Sequence, residues 1–281
     1  MRGQWDLREL RYKLIVSDLD GTLLNSDVQI TQRTLCAIQR YQSLGGLFTY
    51  ATGRSEESTR KIAEQTGIKI PGIVLNGAKV VSHLDGYVIF ETFLDGESTK
   101  KAFAAFRKLH KNVIIYRDDT RYIAEFTEVI DKYLQRVRHG VTLIENIDQV
   151  IGDGSGIRKL LVIDPAQEEE LIVNTAKPIF GDNYNCIKSD PEYYEFLAPG
   201  TSKGCALAAL TEHLQIKLSE TAAIGDHLND ISMIEAAGLG VAVANAEREV
   251  LATADYITES NNEDGVASLI EKVISGEPLC Q

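Results

Sequence analysis

Short apolar runs alternate with amphipathic stretches in the first part of the chain. Tyr12–Ser17 and Leu47–Ala51 are apolar runs of strand length, and polar residues follow each of them. Between them, Thr31–Leu44 carries apolar side chains at helical spacing. A second helix is predicted over residues 55–65 and a third strand over Ile73–Leu75. This alternation predicts parallel α/β structure with right-handed crossovers.

The pattern changes after the third strand and returns near the end of the chain. Lys79–Ser82 and Tyr87–Glu91 flank an Asp-Gly turn and predict a hairpin, after which strands and helices are mixed. From Pro199 onward, strands and helices alternate again. We therefore expect a Rossmann-like, doubly wound α/β core formed by residues 1–82 and 200–281. An inserted α+β domain is expected over residues 83–199.

The elements expected in these later segments follow from the same patterns. In the insert, helices are predicted at Ser98–His110, Glu128–Arg138 and Glu168–Thr175, with strands at Val113–Tyr116, Tyr122–Glu125, Lys159–Ile163, Asn185–Lys188 and Tyr193–Leu197. After the insert, helices are predicted at Ser202–His213, Leu228–Ala237, Glu247–Ala252 and Val266–Ile274, with strands at Thr221–Ile224, Gly240–Ala244 and Tyr256–Thr258.

Charge and cysteine usage exclude several classes of protein. The 281 residues include 29 Lys and Arg against 41 Asp and Glu, which argues against a binder of nucleic acid or anionic membranes. The four cysteines are widely spaced, so neither a zinc ribbon nor a disulfide framework is indicated. The glycine-rich loop 152–156 lacks the spacing of a dinucleotide site. With no membrane span predicted and no protein partner indicated, we expect a cytoplasmic protein.

Two carboxylates directly follow the first predicted strand. Asp18 and Asp20 stand two residues apart in DLDGT, and Gly21 permits a sharp turn there. Taken alone, this segment also fits a solvated acidic turn. In an open α/β sheet, however, ligands bind at the edge where this strand ends, so both carboxylates are candidate site residues.

Two further segments have the chemistry to hold a phosphate. Thr52-Gly53-Arg54 follows the second strand and leads into a helix, which offers a hydroxyl and backbone N–H groups to an anion. Lys203 lies in the first turn of a predicted helix, where the helix dipole disfavours a cation. A nearby carboxylate or phosphate would offset that cost, whereas the plainer interpretation is a solvated surface lysine.

The segment GDHLND adds two carboxylates after another predicted strand. Asp226 stands at the end of that strand and Asp230 four residues later, a pattern that a turn and a helix cap would also explain. Together, the segments would bring Asp18, Asp20, Asp226 and Asp230 to one sheet edge with Lys203. Four carboxylates beside one ammonium group call for a bound cation, and Mg²⁺ prefers carboxylate oxygens. The sequence therefore predicts a Mg²⁺ site that also attracts phosphate.

The ordered segments DLDGTLL, ATGR, TSKG and GDHLND resemble the haloacid dehalogenase superfamily. The insert between Thr52 and Lys203 resembles the Cof-type (IIB) branch, which carries an α/β cap domain of the C2B type. The resemblance extends from Tyr12 to nearly the end of the chain. It implies a Mg²⁺-dependent phosphatase for small phosphorylated metabolites, such as sugar phosphates, that works through an aspartyl-phosphate. It also implies that the insert closes over the site and sets specificity.

The resemblance implies a role for each candidate residue. The catalytic set would be Asp18 as nucleophile, Asp20 as general acid and base, and Thr52 and Lys203 as holders of the phosphoryl oxygens. Further contacts with phosphate or substrate would come from Leu19 through its amide, Gly53, Arg54 and Asn229. The metal residues would be Asp18, Asp20 through its carbonyl, Asp226 and Asp230. His227 departs from the family pattern, as does the segment Val243-Ala244-Asn245-Ala246, which stands where Met-Gly-Asn is common. We interpret His227 as a loop filler.

Two alternatives to a phosphatase remain open at this point. A sugar phosphomutase of the same superfamily shares this class of cap and would return the phosphoryl group to the substrate rather than to water. A non-catalytic, metal-dependent binding protein could also use the same fold. Mg²⁺-dependent release of phosphate from an aryl phosphate would distinguish an enzyme from such a binder.

Overall fold

The computed structural model describes residues 10–118, 120–137, 140–151, 156–181 and 185–279. Backbone contacts divide the chain into two units. The first unit contains the residues up to Glu91 and those from Ser202 onward, and the second is Thr92–Thr201. The sequence placed the insert at residues 83–199. The loop residues 152–155, the predicted helix end at Arg138 and the thiol of Cys280 lie outside the described residues.

Strands and helices follow one another along the chain as follows. The strands are β1 (Leu14–Ser17), β2 (Leu47–Tyr50), β3 (Gly72–Val74), β4 (Lys79–Val81), β5 (Val88–Glu91), β6 (Asn112–Arg117), β7 (Thr120–Ile123), β8 (Thr142–Leu143), β9 (Ile157–Ile163), β10 (Asn185–Asp190), β11 (Tyr193–Leu197), β12 (Thr221–Gly225), β13 (Leu239–Val243) and β14 (Tyr256–Thr258). The helices are α1 (Gln32–Ser43), α2 (Glu56–Thr66), α3 (Gly96–Lys108), α4 (Glu128–Val137), α5 (Asp148–Ile151), α6 (Glu169–Phe180), α7 (Lys203–Leu214), α8 (Ile231–Ala236), α9 (Arg248–Thr253) and α10 (Gly265–Ser275).

The first unit is built on a five-stranded parallel sheet in the order β14-β13-β12-β1-β2. Strand β1 is fully buried between β12 and β2, as expected for a central strand of a parallel sheet. Leu14 and Val16 on β1 pack against Leu207 and Leu210 of α7 in one apolar cluster. Because successive strand residues face opposite sides, Ile15 is buried on the other face of the sheet. The predicted doubly wound α/β fold is therefore confirmed.

The third strand of the first unit lies in a different sheet from the one that the alternation predicted. Strand β3 pairs antiparallel with β4, and β4 with β5, in a separate three-stranded sheet. Only one parallel bridge, between Ala51 and Ile73, joins β3 to the segment after β2. The turn Leu75–Gly77 between β3 and β4 is too short for a parallel crossover, so the hairpin strand takes β3 as an antiparallel partner. The predicted hairpin itself is present.

Two helices differ from the sequence prediction by three residues or more at one end. The helix expected over Leu228–Ala237 begins as a 3₁₀ turn at Leu228–Asp230, and the α-helix starts only at Ile231. The carboxylate of Asp230 accepts hydrogen bonds from two preceding backbone N–H groups, which fixes this turn. Helix α6 continues to Phe180 although Pro178 lies within it. Strand β8 and helix α5 were not predicted.

The second unit is an α+β domain around a six-stranded sheet in the order β10-β11-β9-β6-β7-β8. Its neighbouring strands are antiparallel except for the pair β7 and β8. Phe103 and Phe106 of α3 and Ile172 of α6 pack with Leu160 and Phe196 of the sheet in one apolar core. Within the described ranges of both units, no helix combines the length and apolar character needed to cross a membrane.

Candidate active site

Four motif segments meet at the carboxyl edge of the parallel sheet. Asp18 directly follows β1, Asp226 directly follows β12, and Thr52 comes two residues after the end of β2. Because β12, β1 and β2 are adjacent and parallel, their carboxyl ends lie side by side. Lys203 enters the same place as the first residue of α7. The order of strands, rather than any local pattern, brings these segments together.

Lys203 forms two buried ion pairs. Its Nζ atom donates to Oδ1 of Asp18 at 2.6 Å and to Oδ1 of Asp230 at 2.5 Å, and its side chain has no exposed surface. Burial alone would lower the pKa of Lys203, but the carboxylates of Asp18 and Asp230 outweigh it and raise that pKa above its ordinary value. The lysine is therefore a fixed positive charge, and its carboxylate partners offset the unfavourable helix dipole.

Asp18, Asp226 and Asp230 form a compact group of carboxylates. One oxygen of each lies within 4.8 Å of the others, and all three residues are buried. Burial raises the pKa of Asp18 despite the nearby lysine, and the neighbouring carboxylates raise it further. Burial and then repulsion from Asp230 raise the pKa of Asp226 to about 6. Three buried carboxylates beside one ammonium group carry excess negative charge, and this oxygen-only set fits a hard cation such as Mg²⁺.

Asp226 is held in place by hydrogen bonds from two directions. The hydroxyl of Thr22 donates to its Oδ1 at 2.6 Å, and its own backbone N–H donates to Oδ2 of Asp230 at 3.0 Å. Gly21 has a positive φ of 83°, and a Cβ atom there would collide with the Asp226 carboxylate. The sequence motifs did not identify Thr22 as a residue of the site, although it follows Gly21 in DLDGT.

Asp20 lies outside this carboxylate group. Its side chain is 57% exposed and forms an ion pair with Arg54. The Nε atom of Arg54 donates to Oδ2 at 2.7 Å, and its Nη2 atom donates to Oδ1 at 2.5 Å. Such a two-point pair fixes the orientation of the carboxyl group. The predicted metal contact of Asp20 through its carbonyl, and the predicted substrate contact of Arg54, stay predictions.

Thr52 and Asn229, two of the residues predicted to hold phosphate, contact a buried turn after β3. Thr52 is buried, and its hydroxyl accepts a hydrogen bond from the backbone N–H of Arg54 at 3.1 Å. Asn229 donates through Nδ2 to Oδ1 of Asn76 at 2.9 Å. Leu19 is buried, and its carbonyl accepts from the backbone of Leu24, while the predicted role of its amide stays a prediction.

His227, and Asn245 in the other segment that departs from the family pattern, have local structural partners. His227 lies 2.6 Å through Nδ1 from Oε1 of Glu247, and nearly half of its side chain is exposed. This contact agrees with its interpretation as a loop residue. Asn245 donates through Nδ2 to the carbonyl of Gly21 at 2.9 Å and so supports the turn that carries Asp20.

Comparisons with known proteins match nearly the whole chain. A family model described as haloacid dehalogenase-like hydrolase matches residues 15–270. Phosphatase YwpJ of Bacillus subtilis (strain 168) is 31% identical in an alignment 289 positions long that covers 93% of this chain and 100% of that protein. The 5-amino-6-(5-phospho-D-ribitylamino)uracil phosphatase YcsE of the same organism is 31% identical over 258 residues, 92% of this chain and 94% of that protein.

The fold comparison points the same way. The crystal structure of a haloacid dehalogenase-like hydrolase from Bacteroides thetaiotaomicron superposes with a TM-score of 0.83 at 28% identity, covering 93% of this chain and 99% of that one. The predicted resemblance is thus confirmed over both the motif segments and the insert. The chain belongs to the haloacid dehalogenase-like hydrolase family, and it is an enzyme of the phosphatase type.

Proposed function

We propose that this protein hydrolyses small phosphate monoesters in a Mg²⁺-dependent reaction, through a phosphoryl-enzyme intermediate on Asp18. The observation that best supports this is the buried group of Asp18, Asp226 and Asp230 around Lys203. Asp18 and Asp226, with the backbone carbonyl of Asp20, would hold the ion. When bound, Mg²⁺ would neutralise charge on the phosphoryl oxygens and on these carboxylates.

In the first step, a carboxylate oxygen of Asp18 attacks phosphorus. The new oxygen–phosphorus bond forms as the bond from phosphorus to the leaving alcohol oxygen breaks. Attack of a carboxylate on an anionic phosphoryl group needs nearby positive charge, which Lys203 supplies 2.6 Å from Asp18. Thr52 and the backbone at Gly53 would hold the phosphoryl oxygens in line with the attack. A covalent intermediate divides hydrolysis into two easier displacements.

Asp20 would carry protons in both steps. Its carboxyl group gives a proton to the leaving alcohol oxygen in the first step. In the second step the same group takes a proton from water, whose oxygen attacks phosphorus and breaks the bond to Asp18. Phosphate is then released, and Asp20 is protonated again. The pair with Arg54 suits the ionised form of Asp20, which takes the proton from water; in the first step one oxygen of Asp20 carries the proton and is released from Arg54.

The substrate class that we favour is a phosphorylated sugar or polyol. One relative, 31% identical, is named for a phosphorylated ribityl compound, which supports a polyol phosphate.

We further propose that the second unit, Thr92–Thr201, acts as the cap that sets substrate selectivity. A variant lacking this unit should keep activity on small aryl phosphates while it loses discrimination among metabolites. Unchanged discrimination in a well-folded deletion would contradict this role.

The proposal is tested by phosphate release from p-nitrophenyl phosphate with Mg²⁺ and with excess chelator. We expect turnover with Mg²⁺, none with chelator, and none for Asp18→Asn, which lacks the nucleophile. Turnover by the chelated enzyme or by Asp18→Asn would contradict the mechanism. With a sugar phosphate, inorganic phosphate should accumulate, whereas an isomeric sugar phosphate would indicate a phosphomutase.

Asp20→Asn tests the assignment of the acid and base. Nitrophenolate leaves without a proton, so this variant should release a burst of about one equivalent of nitrophenol and then stall as the phosphorylated enzyme. With an alkyl phosphate the leaving oxygen needs the proton, and the rate should fall about 10²–10⁴-fold. Rapid-quench measurement of nitrophenol and of protein-bound phosphate distinguishes these cases. Equal losses for both substrates, without trapped phosphate, would show that Asp20 is not the acid and base.

A further inference from the structure

The turn Leu75–Gly77, directly after β3, has an unusual backbone. Leu75, Asn76 and Gly77 have φ values of 52°, 56° and 93°, so two residues with side chains lie in the left-handed region. Such a conformation is strained for a residue with a side chain and persists only where the surroundings enforce it. Leu75 and Asn76 are also buried. The surrounding contacts should therefore show what holds this turn.

Backbone hydrogen bonds fasten the turn to the segment after β2. The N–H of Asn76 donates to the carbonyl of Thr52 at 2.9 Å, and the N–H of Leu75 donates to the carbonyl of Arg54 at 3.0 Å. On the opposite side, a Cβ atom on Gly77 would collide with the carbonyl of Ser202, next to Lys203. The turn thus lies against the segments that carry both Thr52 and Lys203.

The side chain of Asn76 reaches two further groups of the proposed site. Its Oδ1 accepts the hydrogen bond from Nδ2 of Asn229 at 2.9 Å. A Cβ atom placed on Gly53 would lie 3.1 Å from both amide atoms of Asn76, so the amide lies directly against the Gly53 backbone. One buried side chain therefore contacts two of the segments assigned above to phosphate binding.

The hydrogen bond to Asn76 also selects the orientation of the Asn229 amide. The NH₂ group has two hydrogens, one of which is used on Asn76, so the second stays available to a phosphoryl oxygen. If the Asn229 amide were reversed, two carbonyl oxygens would face each other and a phosphate would meet an acceptor. Asn229 is only partly buried, which leaves room for such a contact.

We propose that Asn76 is a positioning residue for phosphoryl transfer. It holds the Asn229 amide with an N–H toward the phosphoryl group and fixes the approach of the Gly53 backbone. The inference rests on the proposed function, because it assumes that Asn229 and Gly53 contact phosphate. It adds a residue that would not itself touch the substrate.

The experiment compares Asn76→Gly with the wild-type enzyme, using p-nitrophenyl phosphate and Mg²⁺. Glycine keeps the left-handed backbone without strain and removes the side chain that carries the amide. We expect kcat to fall roughly ten- to a hundredfold, the scale of a misplacement of about 1 Å, with KM changed less than about threefold. Gln215→Gly is the matched control, because Gln215 is exposed at the end of α7 with a φ of 56°. Its kcat and KM should stay within about twofold of the wild type.

A double-mutant cycle with Asn229→Ala separates positioning from a general structural effect. If Asn76 acts mainly through Asn229, adding Asn76→Gly to Asn229→Ala should lower kcat by less than about threefold. Undiminished loss in that background would overturn positioning through Asn229, and a folded Asn76→Gly enzyme with at least half the wild-type kcat would overturn the proposal as a whole. If the glycine variant does not fold, Asn76→Ser decides in its place, because its hydroxyl is too short to reach Asn229. A wild-type enzyme without phosphatase activity would instead refute the proposed function.

Discussion

Replacing Lys203 by methionine tests how much the stability of the fold depends on the positive charge beside the buried carboxylates. The ammonium group lies 2.6 Å from Asp18 and 2.5 Å from Asp230, and the side chain has no exposed surface. Methionine keeps most of the aliphatic volume and removes the charge. Loss of one partner from a buried ion pair costs about 3–5 kcal/mol, because the remaining charge loses its compensation without regaining water.

We therefore expect the free energy of unfolding of Lys203→Met, measured in urea without divalent cations, to fall by about 3–5 kcal/mol. For a unit of this size, that loss corresponds to a melting temperature lower by roughly 10 °C. Arg33→Met is the control, because Arg33 pairs with Glu271 at 2.8 Å while nearly half of each side chain is exposed. Removing such a surface pair should cost less than about 1 kcal/mol.

The double variant Asp18→Asn with Lys203→Met decides whether uncompensated charge causes the loss. Asparagine is neutral and nearly isosteric with aspartate, so the double variant lacks the stranded carboxylate of Asp18. It should regain at least about 2 kcal/mol relative to Lys203→Met alone, whereas Asp18→Asn by itself should not gain stability, so the cycle of the two single variants and the double variant should give a large coupling energy. If the two substitutions were additive, the carboxylate would not depend on Lys203, and the electrostatic account of the site would be refuted.

Three further predictions concern other parts of the chain. Burial raises the pKa of Cys186 to about 12, so at pH 8 only about 10⁻⁴ of this thiol is ionised. Iodoacetamide should therefore modify exposed Cys36 before Cys186, which mass spectrometry would show, and equal rates for the two thiols would contradict this. Lys111→Met leaves the carboxylate of Asp164 buried without its ammonium partner at 2.8 Å, and urea unfolding of the second unit should show a loss of about 3–5 kcal/mol. Gly21→Ala puts a methyl group against the Asp226 carboxylate, so Mg²⁺ should raise the melting temperature less than in the wild type, and an undiminished shift would contradict the placement.

Much of the architecture follows from the sequence because it depends on local periodicity. Apolar runs of strand length, separated by amphipathic segments, define the parallel unit and the insert. Asp18 and Asp226 were expected to meet because both follow strands of a parallel sheet, whose carboxyl ends share one edge. The structure places them there with Asp230 and Lys203. The Asp-Gly dipeptide, which favours tight turns, likewise predicted the hairpin of β4 and β5 correctly.

The partners of individual side chains were decided only by the tertiary structure. Asp20 was expected to act on the leaving alcohol and Arg54 to contact substrate; the structure adds an ion pair between them that the sequence did not predict, because the neighbouring ends of β1 and β2 bring their charges within reach. Asn76 and Asn229 are 153 positions apart and meet only because β3 turns into a hairpin beside the motif segments. Periodicity reports which face of an element is buried, whereas a contact between two polar groups also depends on strand order and side-chain rotamer. Those are properties of the packed chain, and they fix the electrostatics of the site.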